Sequence, residues 1–252
     1  MAEFPSSSVA DGVWSLKQQR RALLGSAWPI IVATDPNFAS VSALLHCDGA
    51  NGSTTFTDSS SNNITFNVSG SASISTAESK FGTGSLYISG VGDWIYPADN
   101  TEFVMGTGDF TIEMWINVDN FSDLRHIYDD RVGGNGAYIT LRTNLSGQIE
   151  YVANSALRIA GSTVMSAGTW YHVAVCRSGT STRMFLDGVQ EGSTYSDSTN
   201  YISNTNRPVI GAHGFNTSQY PYIGYIDDIR VTKGVARYTA NFTPPTAPFP
   251  DQ

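Results

Sequence analysis

Strict alternation of apolar and polar residues, punctuated by glycine, asparagine and aspartate, constrains this chain more than any other feature. Phe110, Ile112, Met114 and Ile116 fall on one side of an extended segment, with Thr111, Glu113, Trp115 and Asn117 on the other, because successive side chains of a strand point to opposite faces. Tyr171, Val173 and Val175 alternate with His172, Ala174 and Cys176 in the same way. Segments 85–88, 137–141, 148–152, 183–186 and 222–231 read as further strands. Between them stand Gly82-Thr83-Gly84, Gly106-Thr107-Gly108, Gly133-Gly134-Asn135-Gly136 and Asp187-Gly188, which is turn chemistry. Asp187-Gly188 is the strongest hairpin signal. No stretch beyond residue 42 keeps a helical period for three turns. The fold class is therefore all-β, an antiparallel two-sheet sandwich.

The first forty residues follow another pattern. Asp11 can cap a short helix carrying Val13, Leu16, Arg20, Leu23 and Leu24, which Gly25 would end. Trp14 and Trp28 flank it, and the segment is too small to bury both indoles by itself. Either the arm folds back on its own sandwich, or Trp14, Leu16, Arg20, Arg21 and Trp28 dock on another protein; the second reading is the expectation. At the other end, 243–250 holds Pro244, Pro245, Pro248 and Pro250 and cannot donate a regular ladder.

Composition excludes several functions. The net charge of −8 argues against a nucleic-acid partner, whose phosphates need clustered Lys and Arg. The longest apolar run, 28–33, is too short to insert in a bilayer. Residues 1–20 show no apolar core after a basic start, so secretion is not expected. Cys47 and Cys176 read as small core residues rather than a disulfide framework or metal ligands.

Six segments together resemble laminin-G-like, concanavalin A-type jelly rolls. They are Leu44-Leu45-His46-Cys47-Asp48-Gly49 with Phe56-Thr57-Asp58, Lys80-Phe81-Gly82-Thr83-Gly84-Ser85-Leu86-Tyr87, Gly108-Asp109-Phe110-Thr111-Ile112-Glu113-Met114-Trp115, Trp170-Tyr171-His172-Val173-Ala174-Val175, Phe185-Leu186-Asp187-Gly188 and Gly224-Tyr225-Ile226-Asp227-Asp228-Ile229-Arg230. Lys233-Gly234-Val235-Ala236-Arg237-Tyr238 and Asn241-Phe242-Thr243-Pro244-Pro245 look like the subgroup in tailed-bacteriophage virion proteins and bacterial surface proteins. The resemblance implies a jelly roll over 41–242, between a docking arm over 1–40 and a Pro-rich tail over 243–252. It also implies a virion structural protein, assembled in the host cytoplasm and exposed after lysis. Its expected partners are other virion proteins, host-surface glycans and further copies of itself. The alternative is a free lectin-like module.

Many members of that family hold a structural calcium ion, which wants six to eight oxygen ligands. Asp48 and Asp58 bracket an early loop, while Asp227 and Asp228 interrupt an apolar strand. Either the pair contributes to such a site, Asp227 foremost, or one Asp faces solvent while the other accepts backbone N–H groups at a bulge, with Arg230 beside it. For glycan contact, the loop residues Tyr128, Asp130, Arg131, Tyr195, Tyr201, His213, Phe215 and Tyr220 supply rings and polar groups, unless their rings pack into the core. Trp94 and Trp115 either line a concave face or belong to the core.

Catalysis is not expected. A retaining glycosidase needs two carboxyls about 5–5.5 Å apart, which on a strand means acidic residues two positions apart. Glu113 stands alone on its strand. His46, His126, His172 and His213 show no metal-ligand spacing, and neither a Gly-x-Ser-x-Gly elbow nor a phosphate loop is present.

Overall fold

The structure, a computed structural model, describes residues 34–202 and 205–252. The docking residues Trp14, Leu16, Arg20, Arg21 and Trp28 lie outside them. The described strands are β1 (Val41–Leu45), β2 (Phe66–Ser69), β3 (Ser73–Ser75), β4 (Ser85–Ile88), β5 (Trp94–Pro97), β6 (Phe110–Val118), β7 (Arg125–Asp129) and β8 (Ile139–Thr143). They continue with β9 (Ile149–Ala153), β10 (Ala156–Ala160), β11 (Trp170–Ser178), β12 (Ser181–Leu186), β13 (Val189–Ser196), β14 (Val209–Ile210) and β15 (Gly224–Lys233). Two single 3-10 turns, Phe38–Ser40 and Thr101–Phe103, are the helical content among the described residues. No helix there is long and apolar enough to cross a membrane.

Two antiparallel sheets result. The eight-stranded one runs β13-β12-β11-β6-β15-β4-β3, with β1 also paired to β15, and the seven-stranded one runs β10-β9-β8-β7-β14-β5-β2. Phe110, Ile112, Met114 and Ile116 of β6 and Val173 and Val175 of β11 face inward, against Ile127, Ile139, Leu141 and Ile149 of the other sheet. Each such fully buried side chain contributes roughly 1.5–3 kcal/mol of transfer free energy. The alternation seen in the sequence is the division between the inward and outward faces of each strand.

The outer face of the eight-stranded sheet is not solvated at β6, every residue of which is buried. The chain after β15 crosses back over it. Thr111 Oγ1 donates to the Val235 carbonyl at 3.0 Å, and the Phe242 N–H donates to the Gly188 carbonyl at 2.9 Å. Tyr238 and Phe242 stack at 3.5 Å and cover Ala174, Cys176 and Phe185. Further on, Phe249 is buried against Val41 and Leu44. The Pro-rich segment thus lies along the sandwich, and both cysteines are free and buried.

β15 explains the acidic pair in an apolar strand. It pairs with β4 through Gly224–Ile226 and with β1 through Ile229–Thr232, and its register on β6 shifts between Asp227 and Arg230. Asp228 sits at that bulge with φ 48°. Where one neighbour gives way to the other the ladder opens, and neither Asp faces solvent: both are buried, accepting the N–H groups of Lys80 and Phe81 in the loop before β4, of Phe249 and of Asp228 itself.

Candidate functional site

The four carboxylates considered for calcium each hold backbone. Asp58 accepts from the N–H groups of Leu44 at 2.8 Å, Ser60 at 2.9 Å and Ile64 at 2.8 Å, fastening its loop to β1. Asp227 Oδ2 accepts from Lys80 N–H at 2.8 Å and Phe81 N–H at 3.0 Å. Asp48 accepts from the N–H groups of Thr83 and Gly84. The loop before β4 is therefore clasped from both sides. Gly82 is required there: its φ is +59°, and a Cβ would lie 2.3 Å from the Asp48 carboxylate. Asp228 Oδ1 meets His46 Nδ1 at 2.7 Å, and its Oδ2 accepts the Phe249 N–H at 2.9 Å. That contact raises the His46 pKa above its ordinary value.

Among the described residues no three His, Cys, Asp or Glu side chains gather as a metal-binding group. These oxygens face the positive ends of N–H dipoles. As arranged, they suit backbone donors rather than a calcium ion.

The residues considered for glycan contact separate into three places. Tyr128 and Tyr201 have no exposed surface and belong to the core. Tyr201 takes that place because its hydroxyl is satisfied internally, by Asp197 at 2.9 Å and Tyr151 at 3.0 Å. Neither ring can stack on a sugar, which corrects the expectation from their loops. Tyr195 is half-buried on β13, with the Arg158 guanidinium 5.1 Å from its ring centre.

The other five, Asp130, Arg131, His213, Phe215 and Tyr220, gather at one corner of the seven-stranded sheet. Arg131 donates to Asp129 Oδ1 at 2.9 Å and Thr140 Oγ1 at 2.7 Å, and lies 4.5 Å from the Tyr138 ring. Asp130 is buried and accepts the Ile139 N–H at 2.5 Å. Burial pushes its carboxyl well above the usual range. His126 pairs with Asp129 at 2.9 Å and stacks on Tyr220 with ring centres 5.7 Å apart. Burial opposes ionisation of Asp129, but His126 and Arg131 outweigh it and hold that carboxyl below its ordinary value.

This polar corner supports a cleft of about 320 Å³ lined by Ser69, Trp94, Tyr96, Asn206, Arg207, Phe215 and Thr217, among others. Trp94 and Tyr96 are two apart on β5, so both rings leave the outer face, while Ile95 between them is fully buried. Phe215 is 56% exposed, in a loop whose neighbours are tied down. Arg207 donates to the carbonyls of Arg131 at 2.9 Å and of Gly214, bridging the two walls. The cleft offers flat apolar faces beside hydroxyl and amide groups, the arrangement that holds a ring with an apolar face and a polar edge.

Sequence alone leaves Trp94 between a concave face and the core and does not single out Tyr96, Arg207 or Thr217. The Trp94-Ile95-Tyr96 alternation was the available signal. It sits on a strand of four residues, and the partners that complete the cleft come from more than a hundred positions later.

Trp115 belongs to another environment. It is 4% exposed, with Phe81 edge-on at 5.8 Å and the Lys80 ammonium 3.8 Å above its ring. Glu113, alone on its strand in sequence, is not alone in space. Arg230 reaches it at 2.8 Å, the Tyr238 hydroxyl donates to it at 2.8 Å and His172 lies 3.3 Å away. The carboxylate is fully buried, so no substrate reaches it.

A family model described as the concanavalin A-like lectin/glucanases superfamily matches residues 89–237. No curated protein sequence matches the chain. Among solved structures, the binding domain of Paraclostridial Mosquitocidal Protein 1 superposes with a TM-score of 0.62 at 14% identity, over 79% of this chain and 50% of that one. The chain therefore spans about half the length of that protein's crystallised domain. Domain 4 of AbnA, a GH43 extracellular arabinanase from Geobacillus stearothermophilus in complex with arabinotriose, superposes at 0.59 with 16% identity, over 78% and 94%. Trypanosoma rangeli sialidase gives 0.54 and 16%, over 83% and 32%. At such identities the structures attest the fold alone, but the family model spans more than half of the sequence. The chain belongs to the concanavalin A-like lectin/glucanases superfamily.

Proposed function

We propose that this chain is a carbohydrate-recognising jelly roll carried on a tailed-bacteriophage particle, with the cleft between Trp94, Tyr96 and Phe215 as its glycan site. The cleft carries the reading: three aromatic rings stand beside Ser69, Asn206 and Thr217, and Arg207 is its single charged lining residue. Rings stack on the C–H faces of pyranoses and furanoses while hydroxyls and amides take their edges. The arabinotriose complex of the arabinanase domain supports the choice of ligand class. The proposed role is binding without chemistry: among the described residues that line the cleft there is no Asp or Glu, where glycosidic cleavage calls for a pair.

The test is a glycan array on the full chain, with arabinotriose among the probes, followed by titration of the best binder. Trp94→Ala is expected to weaken that binding by roughly 10- to 30-fold, the effect of truncating a central aromatic anchor. An unchanged affinity with an intact fold would move the site elsewhere.

The particle context rests on the closing 233–245 segment, which resembles that of virion proteins, and on the expected docking arm over 1–40. Display in many copies would turn weak single-site affinity into firm adhesion. Cryo-electron microscopy of particles whose copy lacks residues 1–35 is expected to show the subunit missing. Retention of the subunit would overturn anchoring by the arm.

A further inference from the structure

The loop that carries Phe215 is held by a histidine acting as a hydrogen-bond acceptor. His213 is 8% exposed, and its Nδ1 accepts the Asn216 N–H at 2.9 Å. Its Nε2 faces Arg131 Nη1 at 3.1 Å. The His126 ring stands 4.9 Å away and the Tyr220 ring 5.9 Å. Asp129 lies beyond Arg131, and Arg207 spans from Arg131 to the carbonyl of Gly214. Gly214 is pressed onto this corner so closely that a Cβ would lie 2.7 Å from the Arg131 carbonyl oxygen. A ring nitrogen that accepts a hydrogen bond cannot also carry a proton.

We infer that His213 gates the cleft by pH, its protonation releasing the 214–217 wall that presents Phe215 and Thr217. The inference rests on the glycan reading for its purpose, though not for its mechanism. Protonation removes the acceptor from Asn216 and places an imidazolium against the Arg131 guanidinium. Asp129 opposes that repulsion, but it is already engaged by Arg131 and His126, and the neighbouring Asp130 is buried with its carboxyl pushed well above the usual range. Burial first, and then Arg131, hold the His213 pKa down to about 4. The closed wall therefore binds fewer protons than the released one, whose histidine titrates near the ordinary 6.5. Closure is complete above about 6.5 and is lost as pH falls toward about 4.

Amide exchange of the full chain, without ligand, reads the gate directly. Protection factors at residues 214–217 are expected to fall by about tenfold or more between roughly pH 7 and pH 3.5, while those of β6 and β11 hold. In His213→Gln, whose amide oxygen still accepts but does not titrate, the fall is expected to vanish. Equal acid sensitivity in both proteins would overturn the proposal. Should the variant not fold, an NMR titration of the wild type decides: the Asn216 amide shift must follow the His213 midpoint, and separate midpoints would refute the gate. A gate that works beside a silent glycan array would leave this inference standing and remove the ligand class.

Discussion

Glu113→Gln is expected to lower the unfolding free energy by about 3–5 kcal/mol, the usual loss when one partner of a buried ion pair is removed. For a domain of this size that corresponds to roughly 6–20 °C in melting temperature. The change keeps side-chain volume, so no cavity confuses the result. It removes the carboxylate that Arg230 meets at 2.8 Å and Arg237 at 3.8 Å, beneath the roof formed by Tyr238 and Phe249. Burial opposes the Glu113 charge, but Arg230, His172 and Arg237 outweigh it and hold the carboxyl down to about 2. A carboxyl depressed in the folded state stabilises fully above its ordinary 4.5 and loses that contribution as pH falls toward about 2. The gap between wild type and variant should accordingly close over that interval in denaturant titrations. A loss under about 1 kcal/mol at neutral pH would show that the two guanidinium groups are served well enough by other acceptors.

This cluster also shows where sequence reading stops. Inward residues of β6 and β11 were legible because a strand's alternation is local. Their outward partners were not, since the cover arrives from Tyr238, Phe242 and Phe249, which are distant in sequence and follow no period. Asp227 and Asp228 were half legible. Two carboxylates in an apolar run demand partners; the bulge reading supplies backbone for one and leaves the other to solvent, whereas both are buried and both accept backbone N–H groups. Only the change of neighbour from β4 to β1 says why the strand breaks its ladder there, and the donors arrive from the loop before β4 and from Phe249. Tyr201 misleads for a related reason, because a hydroxyl with buried partners lets its ring leave the surface. The cleft stayed hidden because Trp94 and Tyr96 become a site only when the 206–217 loops fold over the same sheet face.

Arg177→Met should be comparably damaging, again by about 3–5 kcal/mol, and for a different physical reason. Arg177 has no exposed surface and stands one residue before the end of β11. Its guanidinium donates to the carbonyls of Gly106 at 2.7 Å, Gly108 at 2.6 Å and Thr199 at 2.8 Å, and lies 3.8 Å from Asp197. Phe110 and Tyr201 each place a ring centre 5.0 Å away. One side chain thus joins the turn before β6 to the segment after β13, where Gly106 and Tyr201 exchange backbone hydrogen bonds at 2.8 and 2.9 Å. Methionine retains the stem's packing but donates nothing, leaving the guanidinium's carbonyl acceptors without its N–H groups and Asp197 without the cation beside it. Lysine restores the charge but not the planar fork, and should recover only part of the loss. Denaturant midpoints for the three proteins are expected in the order arginine, lysine, methionine. If methionine equalled arginine, the tie between Gly106 and Thr199 would be carried by the backbone bridge alone, and the buried charge would contribute nothing to stability.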